Sequence, residues 1–92
     1  MDNISPIIYT AIEIIKKSFG GTKVKLLSEK MYRKGPDAFT PLGKLGVDIE
    51  IDGIKTFLGC ESMAEAILEY GQSIADDFVA AVNVNKRYKF NK

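Results

Sequence analysis

Leu45-Gly46-Val47-Asp48-Ile49-Glu50-Ile51-Asp52-Gly53-Ile54-Lys55-Thr56-Phe57-Leu58 is the stretch on which the fold turns. Leu45, Val47, Ile49 and Ile51 alternate with Gly46, Asp48 and Glu50, the period of two that puts apolar side chains on one face of a strand. Asp52-Gly53 then supplies two residues that tolerate positive φ, as a type I′ hairpin turn requires. A two-residue turn pairs Ile51 with Ile54, Glu50 with Lys55, Ile49 with Thr56, Asp48 with Phe57 and Val47 with Leu58. Opposite charges meet, apolar residues meet, and each such pair contributes roughly 0.2–1 kcal/mol. A slip of one residue would turn every side chain to the wrong face.

Outward from the hairpin, Ser62-Met63-Ala64-Glu65 reads as a capping box opening a helix. Ile67, Gly71, Ile74, Phe78 and Val82 mark its buried stripe, and it is expected to end near Asn83. On the N-terminal side, Ser5-Pro6 opens an earlier helix. Its stripe is Ile8, Ile12, Ile15 and Phe19, and Gly20-Gly21 are expected to end it. Between them, residues 22–33 read as a first strand, with a bulge near Ser28 where the alternation slips at Leu26-Leu27. Residues 34–44, with two prolines and two glycines, read as a loop.

The expected fold is therefore α+β: an α-β-β-β-α two-layer sandwich, with a three-stranded antiparallel sheet and both helices on one face. Residues 1–83 form the single domain, and residues 84–92 are a short basic C-terminal tail or edge strand. With 46% hydrophobic and 27% charged residues the chain is ordinary for a globular domain rather than a disordered one. No apolar run reaches the ~18 residues that span a bilayer, and the start lacks the features of a secretory leader, so no membrane partner is expected. Cys60 is the one cysteine, which suits a reducing, cytoplasmic location. Histidine is absent, which removes histidine-based catalysis and most zinc sites; neither a metal nor a cofactor is implied.

The element order resembles that of double-stranded-RNA-binding domains. Ser28-Glu29-Lys30 leading to Gly35-Pro36-Asp37-Ala38, then Val47 to Gly53, Gly59, Ser62 and Glu65-Ala66 are similar to that family's landmarks over roughly residues 5–82. The resemblance implies RNA binding, but the contact positions depart from it. Where the family has a histidine after the Gly-Pro, this chain has Ala38. Where it has phosphate-gripping lysines in the last helix, this chain has Met63 and Ala64 between Glu61 and Glu65, and acidic residues repel phosphate.

Three function classes follow. The leading expectation is a non-enzymatic interaction module, acting on a protein partner or as a homodimer or other homo-oligomer. Excess apolar surface at Ile7, Ile8, Ile14 and Phe57, with Met31 and Leu27 beside Phe57, is the candidate interface. The composition also suits a phage or mobile-element accessory protein. The alternative is nucleic-acid binding of the double-stranded-RNA type through basic segments 30–34 and 86–92, with Lys30, Arg33, Lys34, Lys86, Arg87 and Lys89 as candidate contacts. The third is a small thiol protein centred on Cys60, whose simpler reading is a buried core residue. Leu58-Gly59-Cys60-Glu61-Ser62-Met63 also looks like the serine site of acyl carrier proteins; those are all-helical, and a hairpin precedes the serine here.

Overall fold

A computed structural model describes residues 3–35 and 43–90, with side chains through residue 84. The chain is α+β. Helix α1 spans Pro6–Ile15 and a 3₁₀ turn follows at Ser18–Gly20. Four strand segments come next: β1 Val24–Leu26, β2 Tyr32–Lys34, β3 Lys44–Ile51 and β4 Ile54–Gly59. A π-helical turn, Cys60–Ala64, leads into α2 (Glu65–Tyr70) and α3 (Gln72–Phe90).

The hairpin has the expected register throughout, from Ile51 opposite Ile54 to Val47 opposite Leu58, and one pair further to Gly46 opposite Gly59. Asp52 at φ 48° and Gly53 at φ 88° make the turn. Asp52 also ties the hairpin to β1: its carboxylate accepts from the Lys23 amide at 2.9 Å, and its own amide donates to the Lys23 carbonyl at 2.9 Å. β4 takes one edge of β3. β1 and β2 share the other, with Val24 to Leu26 antiparallel to Ile51 to Ile49, and Tyr32 to Lys34 antiparallel to Gly46 to Lys44.

The expected single first strand is thus two segments in one lane. Residues 27–31 oppose only Val47 and Asp48, and Ser28 fills the gap: its hydroxyl accepts from the Asp48 amide at 2.9 Å, where a strand carbonyl would otherwise do so. The detour turns Met31 into the core, 6% exposed, where its sulfur accepts from the Ser5 amide at 3.2 Å. The anticipated loop differs at both ends, since Lys34 closes β2 and Lys44 opens β3. The Gly-Pro landmark from Pro36 to Ala38 lies outside the described residues.

Val47, Ile49, Ile51 and Leu58 join Ile8, Ala11, Ile12 and Ile15 of α1, Ala64, Ile67 of α2, and Ala75, Val79 and Val82 of α3 in one core. Full burial of each large aliphatic side chain is worth about 1.5–3 kcal/mol. Ser5 caps α1 as its sequence suggests, accepting from the Ile7 amide at 3.3 Å, with Pro6 at the first helical position. The end of α1 differs. The helix stops at Ile15, and Phe19 has φ 49° and is 64% exposed, so it leaves the buried stripe. Thr22 and Ser18 fill the space behind the turn: Thr22 Oγ1 donates to the Ser18 carbonyl at 2.7 Å, and the Gln72 side-chain amide donates to Ser18 Oγ at 3.0 Å.

The helical return departs most from expectation. Ser62 is not an N-cap. The π-helical turn begins two residues earlier at Cys60, out of extended Gly59. Although Glu61 departs from helical backbone at φ −91°, ψ 18°, Ser62 lies inside the turn rather than at its start, and the N-cap position falls to Gly59. The expected single helix is also broken. Gly71 adopts φ 73°, ψ −142°, a conformation open essentially to glycine alone, so α3 restarts at Gln72 with a new phase. Its buried residues are consequently Ala75, Val79 and Val82, with Ile74 and Phe78 at the margin. Finally, α3 continues to Phe90, so residues 84–90 are neither tail nor edge strand but the last turns of a helix. A 19-residue helix is about 28 Å long, roughly twice α1.

Candidate binding face on the outer side of the sheet

Alternation along β3 turns Gly46, Asp48 and Glu50 away from the core, and cross-strand pairing determines what stands beside them. Tyr32 and Phe57 follow from the pairs Tyr32–Gly46 and Asp48–Phe57, and Lys25 and Lys55 flank Glu50. Lys34 and Lys44 pair at the far end. The helices pack against the other face, so these side chains form the open side of the sheet.

Gly46 is the floor of this arrangement. A Cβ there would meet the Leu58 carbonyl, come 2.6 Å from the Phe57 ring and 2.8 Å from the Gly59 Cα. The missing side chain lets the Phe57 ring lie over the sheet, and Gly59 opposite leaves room for it. Tyr32 meets Phe57 edge-to-face, with ring centroids 5.5 Å apart and an interplanar angle of 72°. The Lys34 ammonium lies 5.5 Å from the Phe57 centroid, within cation–π range. The Tyr32 hydroxyl donates to Asp48 Oδ1 at 2.7 Å, and Lys55 Nζ stands 3.8 Å from Asp48 Oδ2. Partial burial raises the Tyr32 phenol to about 12, helped by the hydrogen bond to Asp48 and by its negative charge. The Tyr32 residue is 38% exposed, and the hydrogen-bonded Asp48 carboxylate adds to desolvation in the same direction.

Two sets of sequence candidates meet here. Phe57, expected in a protein interface, and Lys34, expected at a phosphate, are in contact. Of the other interface candidates, Ile8 is fully buried, and Ile7 and Ile14 are half-buried against the core. The excess apolar surface expected on α1 is largely consumed, because α2, α3 and the turn at Cys60–Ala64 pack around it and its buried side chains share one core with those of the sheet. Met31 is likewise internal, while Leu27 is 38% exposed.

Among the basic candidates, Lys30 is exposed in the bend before β2. Arg33 points to the opposite side from Lys34 and donates to the Gly43 carbonyl at 3.0 Å. Lys86, Arg87 and Lys89 lie on the last turns of α3, where only the backbone is described. Cys60 is 8% exposed and belongs to the core. Tyr32 and Gly46 were not singled out from sequence. The signal that could have found them was the pairing of an aromatic with a glycine across strands, but the detour at residues 27–31 hides that register.

Among the described residues, no group of three metal-ligating side chains is close enough to hold an ion, and no helix is long and apolar enough to cross a membrane. No family model, no curated protein and no solved structure matches the chain.

Proposed function

We propose that the domain is a non-enzymatic interaction module whose contacts lie on the outer face of its sheet. One observation carries the reading: Tyr32 and Phe57 pack over Gly46 on a face that no helix covers among the described residues, with Lys34 on the ring and Lys25, Lys44 and Lys55 around it. Binding surfaces commonly combine such an aromatic anchor with a charged rim. The test compares affinity capture by the intact domain with capture by a Lys34→Glu/Lys55→Glu variant and by a Tyr9→Glu variant on α1. Loss of the retained partner in the first, with retention in the second, supports the reading. Equal retention by all three contradicts it.

A second reading, self-association, has its own support on the helical side. Tyr9, Phe19 and Tyr70 are 52%, 64% and 63% exposed. Light scattering separates the two: a dimer that Tyr9→Glu or Phe19→Asp dissociates favours self-association, and a strict monomer removes it.

A further inference from the structure

On the reading that the outer sheet face is the working surface, we infer that its ligand is a single-stranded nucleic acid, with bases against Tyr32 and Phe57 and phosphates at the lysines.

Charge selects an anionic ligand. Lys25, Lys34, Lys44 and Lys55 project from this face against Asp48 and Glu50. Asp48 is occupied by the Tyr32 hydroxyl and by Lys55, and Glu50 stands between Lys25 and Lys55 in the register. The face carries four lysines against two carboxylates and is therefore net positive, with Lys55 shared between Asp48 and the cationic end beside Glu50.

Spacing selects an extended chain. The Lys34–Lys44 pair and the Lys25–Lys55 pair lie six β3 residues apart, about 20 Å at the rise of a strand. The aromatic pair stands between these two cationic ends, so a polyanion spanning them must cross the rings. A single strand carries both a phosphate backbone and π-faces that stack on aromatic side chains. A duplex keeps its bases stacked inside, and an acidic peptide has no recurrent ring.

The aromatic pair is also pre-ordered. The bond to Asp48 and the edge contact with Phe57 hold the Tyr32 ring while more than a third of the residue stays exposed. Order already present in the free protein reduces what binding must freeze. Among the described residues the Lys34 ammonium is what lies over the Phe57 ring, and a base that approaches the ring displaces it toward the adjacent phosphate.

The test is fluorescence anisotropy of a labelled oligo(dT) of roughly 12 nucleotides, from roughly 50 to 200 mM salt. Expected is binding that weakens with salt, a loss of roughly tenfold in Tyr32→Ala, and near-wild-type binding in Tyr32→Phe, which keeps the ring. Lys34→Ala/Lys44→Ala should flatten the log–log salt slope by about 1.4, two contacts at about 0.7 each for a single strand. Thermal melts of each variant verify folding. If Tyr32→Ala does not fold, competition by the matching duplex and by polyglutamate decides the question. Weak competition by both supports the inference, and competition as strong as the single strand's overturns it. No binding at the lowest salt also overturns it, as does binding insensitive to Tyr32→Ala in a folded variant. In either case the interaction-module reading stands or falls separately, on whether Lys34→Glu/Lys55→Glu loses the partner that the intact domain retains in affinity capture.

Discussion

The two faces of β3 use one stretch of backbone for opposite purposes. Toward the helices it presents Val47, Ile49 and Ile51, each fully buried. Toward solvent it presents Gly46, Asp48 and Glu50 beneath an aromatic pair and a rim of lysines. The inner face determines whether the chain folds, and the outer face has latitude to bind. Substitutions should accordingly separate into those that unfold the protein and those that leave it folded with altered surface chemistry.

The largest effect belongs to the inner face. Ile49→Ala removes a fully buried side chain at the centre of the core, and should cost about 2–5 kcal/mol, read as a lower urea midpoint at an unchanged slope. Gly46→Val sharpens the comparison because it lies on the outer face yet should destabilise by about 3 kcal/mol. Its new side chain meets backbone of β4 as well as the Phe57 ring, so rotation of that ring alone cannot make room. A mild effect there would mean that the close Gly46–Gly59 approach is not essential to the sheet.

Gly71→Ala probes the helical layer. Nothing lies within 4 Å of the added methyl, so the expected loss of about 1–3 kcal/mol is backbone strain at φ 73° alone. Near-neutrality, with a longer continuous helix by NMR, would contradict the break between α2 and α3.

The outer face supplies the next, smaller effect. The folded Tyr32 phenol lies at about 12 against an ordinary 10, so the neutral form is favoured in the folded protein. Its contribution is fully present below pH about 10 and is lost as pH rises through about 12. In an NMR titration the Tyr32 phenol should ionise at about pH 12, and Asp48→Asn should bring it down toward 10. The smallest effect is predicted for Ser62→Ala: within about 0.5 kcal/mol if Ser62 lies inside a helical turn, against about 1 kcal/mol for a true N-cap.

The contrast between the hairpin and the helical return explains what the sequence made legible. The register from Val47 to Leu58 follows from alternation and a two-residue turn, all contained in twelve neighbouring residues, so local chemistry specifies it. The return from Cys60 to Gln72 has strong local signals that lose to tertiary packing. Ser62 offers a capping box, yet Cys60 and Ala64 are both buried, and the chain begins to coil at Cys60 to seat them. Gly71 fits a helical stripe by spacing, yet its freedom of φ is used to re-aim α3. Ile8 shows the same limit at the candidate site. Its apolar excess on a helix was visible in sequence, but whether that excess met solvent or the core depended on how α2 and α3 close around α1. The outer face is half legible: Phe57 stands out as an outward-facing aromatic and Lys34 as part of a basic segment, and the register across the detour at residues 27–31 unites them.

The claim that one face of β3 folds while the other binds is tested most directly by NMR mapping of the isotopically labelled protein during titration with oligo(dT). The account predicts saturable shifts at Lys25, Tyr32, Lys34, Lys44, Lys55 and Phe57, with Val47, Ile49 and Ile51 little changed beyond through-strand effects. Shifts centred instead on Tyr9, Phe19 and Tyr70, or none at low salt, would contradict it.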